Sequence, residues 1–206
     1  MNNVDKMFAG SASADAFSSA YAEYVGRMIR AVDHGAVARL IEVLLQARER
    51  GKHIFFIGNG GSAATASHFA NDVAIGTRSA AKPFRAVSLT DNNAVMTAVA
   101  NDDGFEQVFV KQLEALMEAG DVVVAISASG NSPNLVAAVE HANTKGGVTV
   151  GITGFDGGKL KKLCAQGIHV PSEKGEYGPV EAVHSYVLHL VGNYLMQRVI
   201  GERRGG

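Results

Sequence analysis

The segment His53-Ile54-Phe55-Phe56-Ile57-Gly58-Asn59-Gly60-Gly61-Ser62 decides the fold. A mostly apolar run enters a glycine-rich turn, and a helical pattern opens directly behind it. Near-continuous apolar runs of this length suit strands covered on both faces, the habit of parallel sheets. The arrangement recurs where Asp121-Val122-Val123-Val124-Ala125-Ile126 leads into Ser127-Ala128-Ser129-Gly130-Asn131-Ser132. At a helix start the first backbone N–H groups lack partners and the helix dipole is positive, so such a loop holds a phosphate without a lysine. Two such loops in one sheet point to a phosphorylated small molecule.

Outward from these loops, apolar runs and helical spacings alternate. Strands are expected at 53–57, 84–89, 121–126, 148–153 and 167–170. The intervening helical patterns fall at 62–75, 91–100, 105–119, 132–145 and 158–165, and a long helix at 179–198 closes the series. Alternation of this kind predicts an α/β fold, three-layer and doubly wound, with a mostly parallel five-stranded sheet. Both glycine/serine loops then lie at the carboxyl ends of strands, where open α/β sheets bind ligands. Two earlier helices, 14–32 and 35–50, are expected to form an N-terminal hairpin beside the α/β core, with residues 1–12 loose and 201–206 a frayed tail. Residues 1–206 read as one domain, helical over 1–50 and α/β over 51–206.

Composition narrows the function. The 206 residues carry 19 basic and 20 acidic side chains and a net charge of −1, so no global field draws nucleic acid or membrane. No apolar run approaches the ~20 residues a spanning helix needs, and the start of the chain lacks a signal-peptide pattern. The lone cysteine, Cys164, cannot close an internal disulfide and reads as a small core residue in a cytoplasmic protein.

The first loop is neither a dinucleotide fingerprint nor a P-loop. Gly58 and Gly60 fit the first two glycines of the dinucleotide pattern, but no acidic residue ends the next strand, and no Gly-Lys-Ser/Thr follows. In the second loop Ser127, Ser129 and Ser132 supply hydroxyls, and Asn131 or Ser132 can cap the next helix. Proton-handling candidates sit on two helices. His68 and Asp72 are one turn apart on a shared face. Glu181, His184 and His189 fall near one face of the last helix, although about 12 Å of axis separates Glu181 from His189. Glu181 also suits the third helical position if Gly178 caps and Pro179 opens the helix.

Four stretches, GNGGSAATASHF (58–69), SASGNSPN (127–134), GFDGGKL (154–160) and VEAVHSYVLH (180–189), resemble the sugar isomerase (SIS) domain family, most closely its phosphoheptose isomerase branch. The resemblance spans nearly the whole chain. It implies aldose–ketose isomerisation of sedoheptulose 7-phosphate to D-glycero-D-manno-heptose 7-phosphate. Position by position it assigns Asn59, Gly60 and Ser62 to the first substrate loop, and Ser127, Ser129 and Ser132 to the phosphate. Asp102 matches an acidic sugar contact, His189 the catalytic histidine, and His68 a zinc ligand of some members. It further implies a homotetramer with sites between subunits and no organic cofactor.

Two positions depart from the family pattern. Asp72 stands where a glutamate base is usual, and Glu181 where a glutamine is usual. The base is then Asp72 or Glu181, and one zinc ion per site would draw on His68, Asp72, Glu181 and His189. Two other readings stay open: a non-catalytic phosphosugar-binding or protein-interaction module, as in a partner of the bacterial replication initiator, and an isomerase or lyase of another phosphosugar.

Overall fold

The computed structural model describes residues 1–78 and 82–204. Its elements, in chain order, are α1 (Asn3–Gly10), α2 (Ala14–Arg30), α3 (His34–Glu49), β1 (His53–Gly58), α4 (Gly61–Asn71), β2 (Arg85–Ser88), α5 (Asn93–Asp102), α6 (Val110–Leu116), β3 (Val122–Ser127), α7 (Pro133–Thr144), β4 (Val148–Thr153), α8 (Leu160–Leu163), β5 (Gln166–His169) and α9 (Tyr177–Arg204). A π-helical turn, Asp72–Gly76, continues α4, and a 3-10 turn, Phe105–Gln107, precedes α6.

The strands pair in the order β2-β1-β3-β4-β5, all parallel. Strand order reverses between β1 and β3, so the crevice at the carboxyl end of that pair is the topological switch point. Both glycine/serine loops leave from those two strands. Alternate residues feed two cores. Phe56, Val124, Ile126, Val150 and Ile152 pack under α3, α4 and α9. Phe55, Ile57, Val123 and Ala125 pack under α6, α7 and α8. Every residue of β3 is buried, as a central parallel strand requires.

The N-terminal helices are placed by what they cover. α3 lies against the sheet, while α2 runs along α9. Residues 1–12, expected to be loose, instead contain α1. The Asn2 side chain accepts the Asp5 N–H and the Asp5 carboxylate accepts the Asn2 N–H, a reciprocal cap that starts the helix. The last helix is longer than its apolar pattern predicts. It begins at Tyr177 and runs through Arg204, into the expected tail, whose residues 205–206 lie outside the described residues. Glu181 therefore does not occupy the third position of the helix. No helix among the described residues is long and apolar enough to cross a membrane.

Candidate active site

The first loop is shaped by close backbone contact. A Cβ on Gly58 would fall 2.4 Å from the Ser62 carbonyl oxygen, so only glycine fits. Gly60, at the cap position of α4, adopts φ +53° and ψ −123°, a region closed to other residues. It supplies no side-chain cap, and the chain folds back so that Ala63 N–H bonds the Asn59 and Gly60 carbonyls beside the buried Ser62.

In the second loop the serines organise the turn and keep a donor each. Ser127 Oγ accepts the Gly130 N–H at 3.0 Å, and Ser129 Oγ accepts the Asn131 N–H at 3.3 Å. Each hydroxyl still carries a hydrogen to donate. Ser132 takes the cap position of α7, yet its side chain makes no capping bond. Gly130 has φ +64°, and a Cβ there would fall 2.0 Å from the Gly157 carbonyl oxygen. The 154–160 stretch thus braces the loop from behind, where Leu160 N–H bonds Gly130 and Lys159 N–H bonds the Asn131 side chain.

The two loops are clipped together. Asn59 Nδ2 donates to Asn134 Oδ1, and Asn134 Nδ2 donates back to Asn59 Oδ1, each at 2.9 Å. Asn134 is fully buried, and its side-chain oxygen also accepts the Leu135 N–H. Sequence reasoning placed Asn59 in the site but gave Asn134 no role. The only signal was its place inside the second serine stretch.

A second cluster lies further along α4. Asp72 Oδ2 stands 3.5 Å from His68 Nε2 and 3.8 Å from His189 Nδ1, bridging α4 and α9. The two imidazoles meet edge to face with centroids 4.9 Å apart. Asp72 begins the π-turn, in which Thr77 N–H reaches back five residues to its carbonyl. Such π-turns are frequent at functional sites. Gly192 of α9 faces Asp72: a Cβ there would sit 3.4 Å from the Asp72 Cβ, in ordinary contact. Beside the cluster a cavity of about 190 Å³ is lined by Asp72, Gly76, Gly192, Asn193 and Met196.

This cluster fits a divalent ion. One donor atom from each of His68, Asp72 and His189 lies within 4.8 Å of the other two. Two imidazole nitrogens and a carboxylate are a common zinc set, and a fourth position stays open.

Other expected site residues fall elsewhere. Glu181 is not in the cluster: its carboxylate lies over Gly61, at the first turn of α4, where a Cβ on Gly61 would be 2.4 Å from its Oε2. The eight residues to His189 keep the two apart on an unbent helix. Asp102 ends α5 exposed, and its carboxylate accepts from the Asn101 side chain. His184 faces the core, 1% exposed, rather than the site. Burial pushes its imidazole down to about 4. Cys164 is half-buried against the second core, its thiol pushed up to about 12 by burial and so protonated at neutral pH.

Residues 20–154 match the family model described as the SIS domain. Phosphoheptose isomerases from Nitratidesulfovibrio vulgaris and Trichlorobacter lovleyi are 43% and 38% identical to the chain. The first alignment covers 74% of each protein, the second 80% of this chain and 83% of the relative. The solved phosphoheptose isomerase of Neisseria gonorrhoeae superposes with a TM-score of 0.77 at 30% identity, covering 88% of this chain and 97% of its own. That of Francisella tularensis gives the same TM-score at 26% identity, over 96% and 100%. With this extent of likeness in sequence and architecture, the chain belongs to the SIS-domain family and, within it, to the phosphoheptose isomerases.

Proposed function

We propose that the chain interconverts sedoheptulose 7-phosphate and D-glycero-D-manno-heptose 7-phosphate through an enediol. The observation that carries this reading is Asp72 held between His68 and His189, in a chain that also builds two hydroxyl-and-amide loops at its switch point. The second loop would take the phosphoryl end, through Ser127, Ser129 and Ser132, with Asn59, Gly60 and Ser62 alongside. Binding energy there positions the reacting carbons and takes no part in bond breaking. Asp72 would remove the proton on the carbon next to the carbonyl, and His189 would carry a proton between the two sugar oxygens. A zinc ion held by His68, Asp72 and His189 would supply Lewis-acid polarisation of the carbonyl. Glu181, at the first loop, is placed to accept from sugar hydroxyls.

The loops and the cluster are spaced apart. From Gly61 to His68 runs about 10 Å of helix axis. We further infer a homotetramer with sites completed between subunits, as the resemblance implies, with Asp102 and the His68, Asp72 and His189 cluster of one subunit serving a neighbour's loops. We place the protein in the cytoplasm, where its sugar phosphates are found.

Incubation with sedoheptulose 7-phosphate, following appearance of the aldoheptose phosphate, tests the reading. Turnover is the expected result. Saturable binding with no turnover overturns it in favour of a phosphosugar-binding module, and turnover of another sugar phosphate alone reassigns the substrate.

A further inference from the structure

Glu176 is the most buried carboxylate at the entrance to α9, 1% exposed, and lies between the residues that border the phosphate loop. No lysine, arginine or histidine pairs with it among the described residues. Three donors hold it instead. Oε1 accepts the Asn3 N–H of α1 at 2.7 Å. Oε2 accepts the Tyr24 hydroxyl of α2 at 2.6 Å and the Glu173 N–H at 3.0 Å. The Asn3 side chain donates to Tyr24 as well. Burial and the Glu176 contact push the Tyr24 phenol up to about 12, so it remains a donor at neutral pH. Gly175, at φ +95°, lets the chain pass beside the Asn2 side chain.

Residues on each side of Glu176 wall a cavity of about 260 Å³ that opens on the phosphate loop. Ser172, Lys174 and Tyr177 form one side, and Ser129, Asn131 and Phe155 the other. Phe155 is held at φ +47°, unusual for a bulky residue, by an exchange of bonds with Ser172 and by edge contact with Tyr177. We propose that Glu176 is a positioning residue for phosphosugar binding: α1 and α2, by satisfying its carboxylate, fix the 172–177 wall against the phosphate loop. The inference rests on the proposed function, because it takes the second loop as the phosphoryl seat.

The physical reason is the cost of an uncompensated buried charge. If a donor is lost, the carboxylate is left under-compensated, and the expected response is a shift of the 172–177 segment that carries it toward water. The cluster at His189 lies twelve residues from Tyr177, about 18 Å along α9, and is not disturbed.

Tyr24→Phe and Glu176→Gln test this, read by calorimetric binding of sedoheptulose 7-phosphate and by kcat at saturation. The expected result is affinity weakened by about tenfold with kcat within about twofold of the parent. Unchanged affinity in folded Tyr24→Phe protein overturns the proposal, and so does a fall in kcat at unchanged affinity. If Glu176→Gln fails to fold, Tyr24→Phe, which removes one donor and no charge, decides alone. If the parent binds the sugar without turning it over, the reaction assignment fails, while the affinity comparison still reports on Glu176.

Discussion

Asn59 and Asn134, seventy-five residues apart, exchange two amide hydrogen bonds of 2.9 Å and so tie the phosphate-loop region of β3 to the glycine loop of β1. Asn134 is buried, so removing either partner strands the other. Asn134→Ala should destabilise the protein by about 1–3 kcal/mol. Asn59→Ala and the double variant complete a thermodynamic cycle in urea. The two losses should be clearly non-additive, whereas additive losses would show that the loops are held independently.

Position favours Asp72 over Glu181 as the proposed base. Asp72 faces both imidazoles, while Glu181 lies over Gly61. Asp72→Asn should lower kcat by at least ~10²-fold with little change in substrate affinity. Glu181→Gln should act mainly on KM, because its carboxylate lies at the first loop. The opposite pattern would make Glu181 the base.

Much of this architecture was legible in the residues. The apolar runs placed β1 to β5 within a residue or two, because strands buried on both faces leave a continuous apolar signature. Gly58, Gly60 and the three serines declared the loops by turn chemistry. What escaped was long-range or depended on the partner of a small side chain. Asn2 and Asp5 hold a capping box, but a short polar start hid it. The π-turn at Asp72–Gly76 has no composition signal. Glu181 was expected in the metal set because it replaces a family glutamine, and the roughly 12 Å of axis already evident between it and His189 is what keeps it out of the cluster.

Metal dependence follows from the His68, Asp72 and His189 cluster. Zinc should bind with about one ion per chain, and His68→Ala should weaken it by roughly tenfold or more. Glu181→Gln should leave zinc affinity nearly unchanged, since its carboxylate lies outside the cluster. Equal losses in both variants would bring Glu181 into the coordination sphere. Isothermal titration of chelator-treated protein measures each case.

Acid sensitivity of the fold is set in part by His184. Both of its ring nitrogens are buried. Burial lowers its pKa from 6.5 to about 4, and although the Thr153 backbone favours the proton slightly, desolvation outweighs it. Above about pH 6.5 the imidazole is neutral in both folded and unfolded chains and costs nothing. As pH falls below that value the unfolded chain takes up a proton that the folded chain refuses, so stability declines by about 1.4 kcal/mol per pH unit. The decline ends near pH 4, where the folded imidazole also protonates, after a total of roughly 3 kcal/mol. His169, which bonds Thr153, is shifted the same way by its own burial and adds to the slope. Urea unfolding of the parent and His184→Leu at about pH 7 and pH 5 measures the effect. The variant should lose less stability between the two pH values than the parent, and equal losses would remove His184 as the acid-sensitive group.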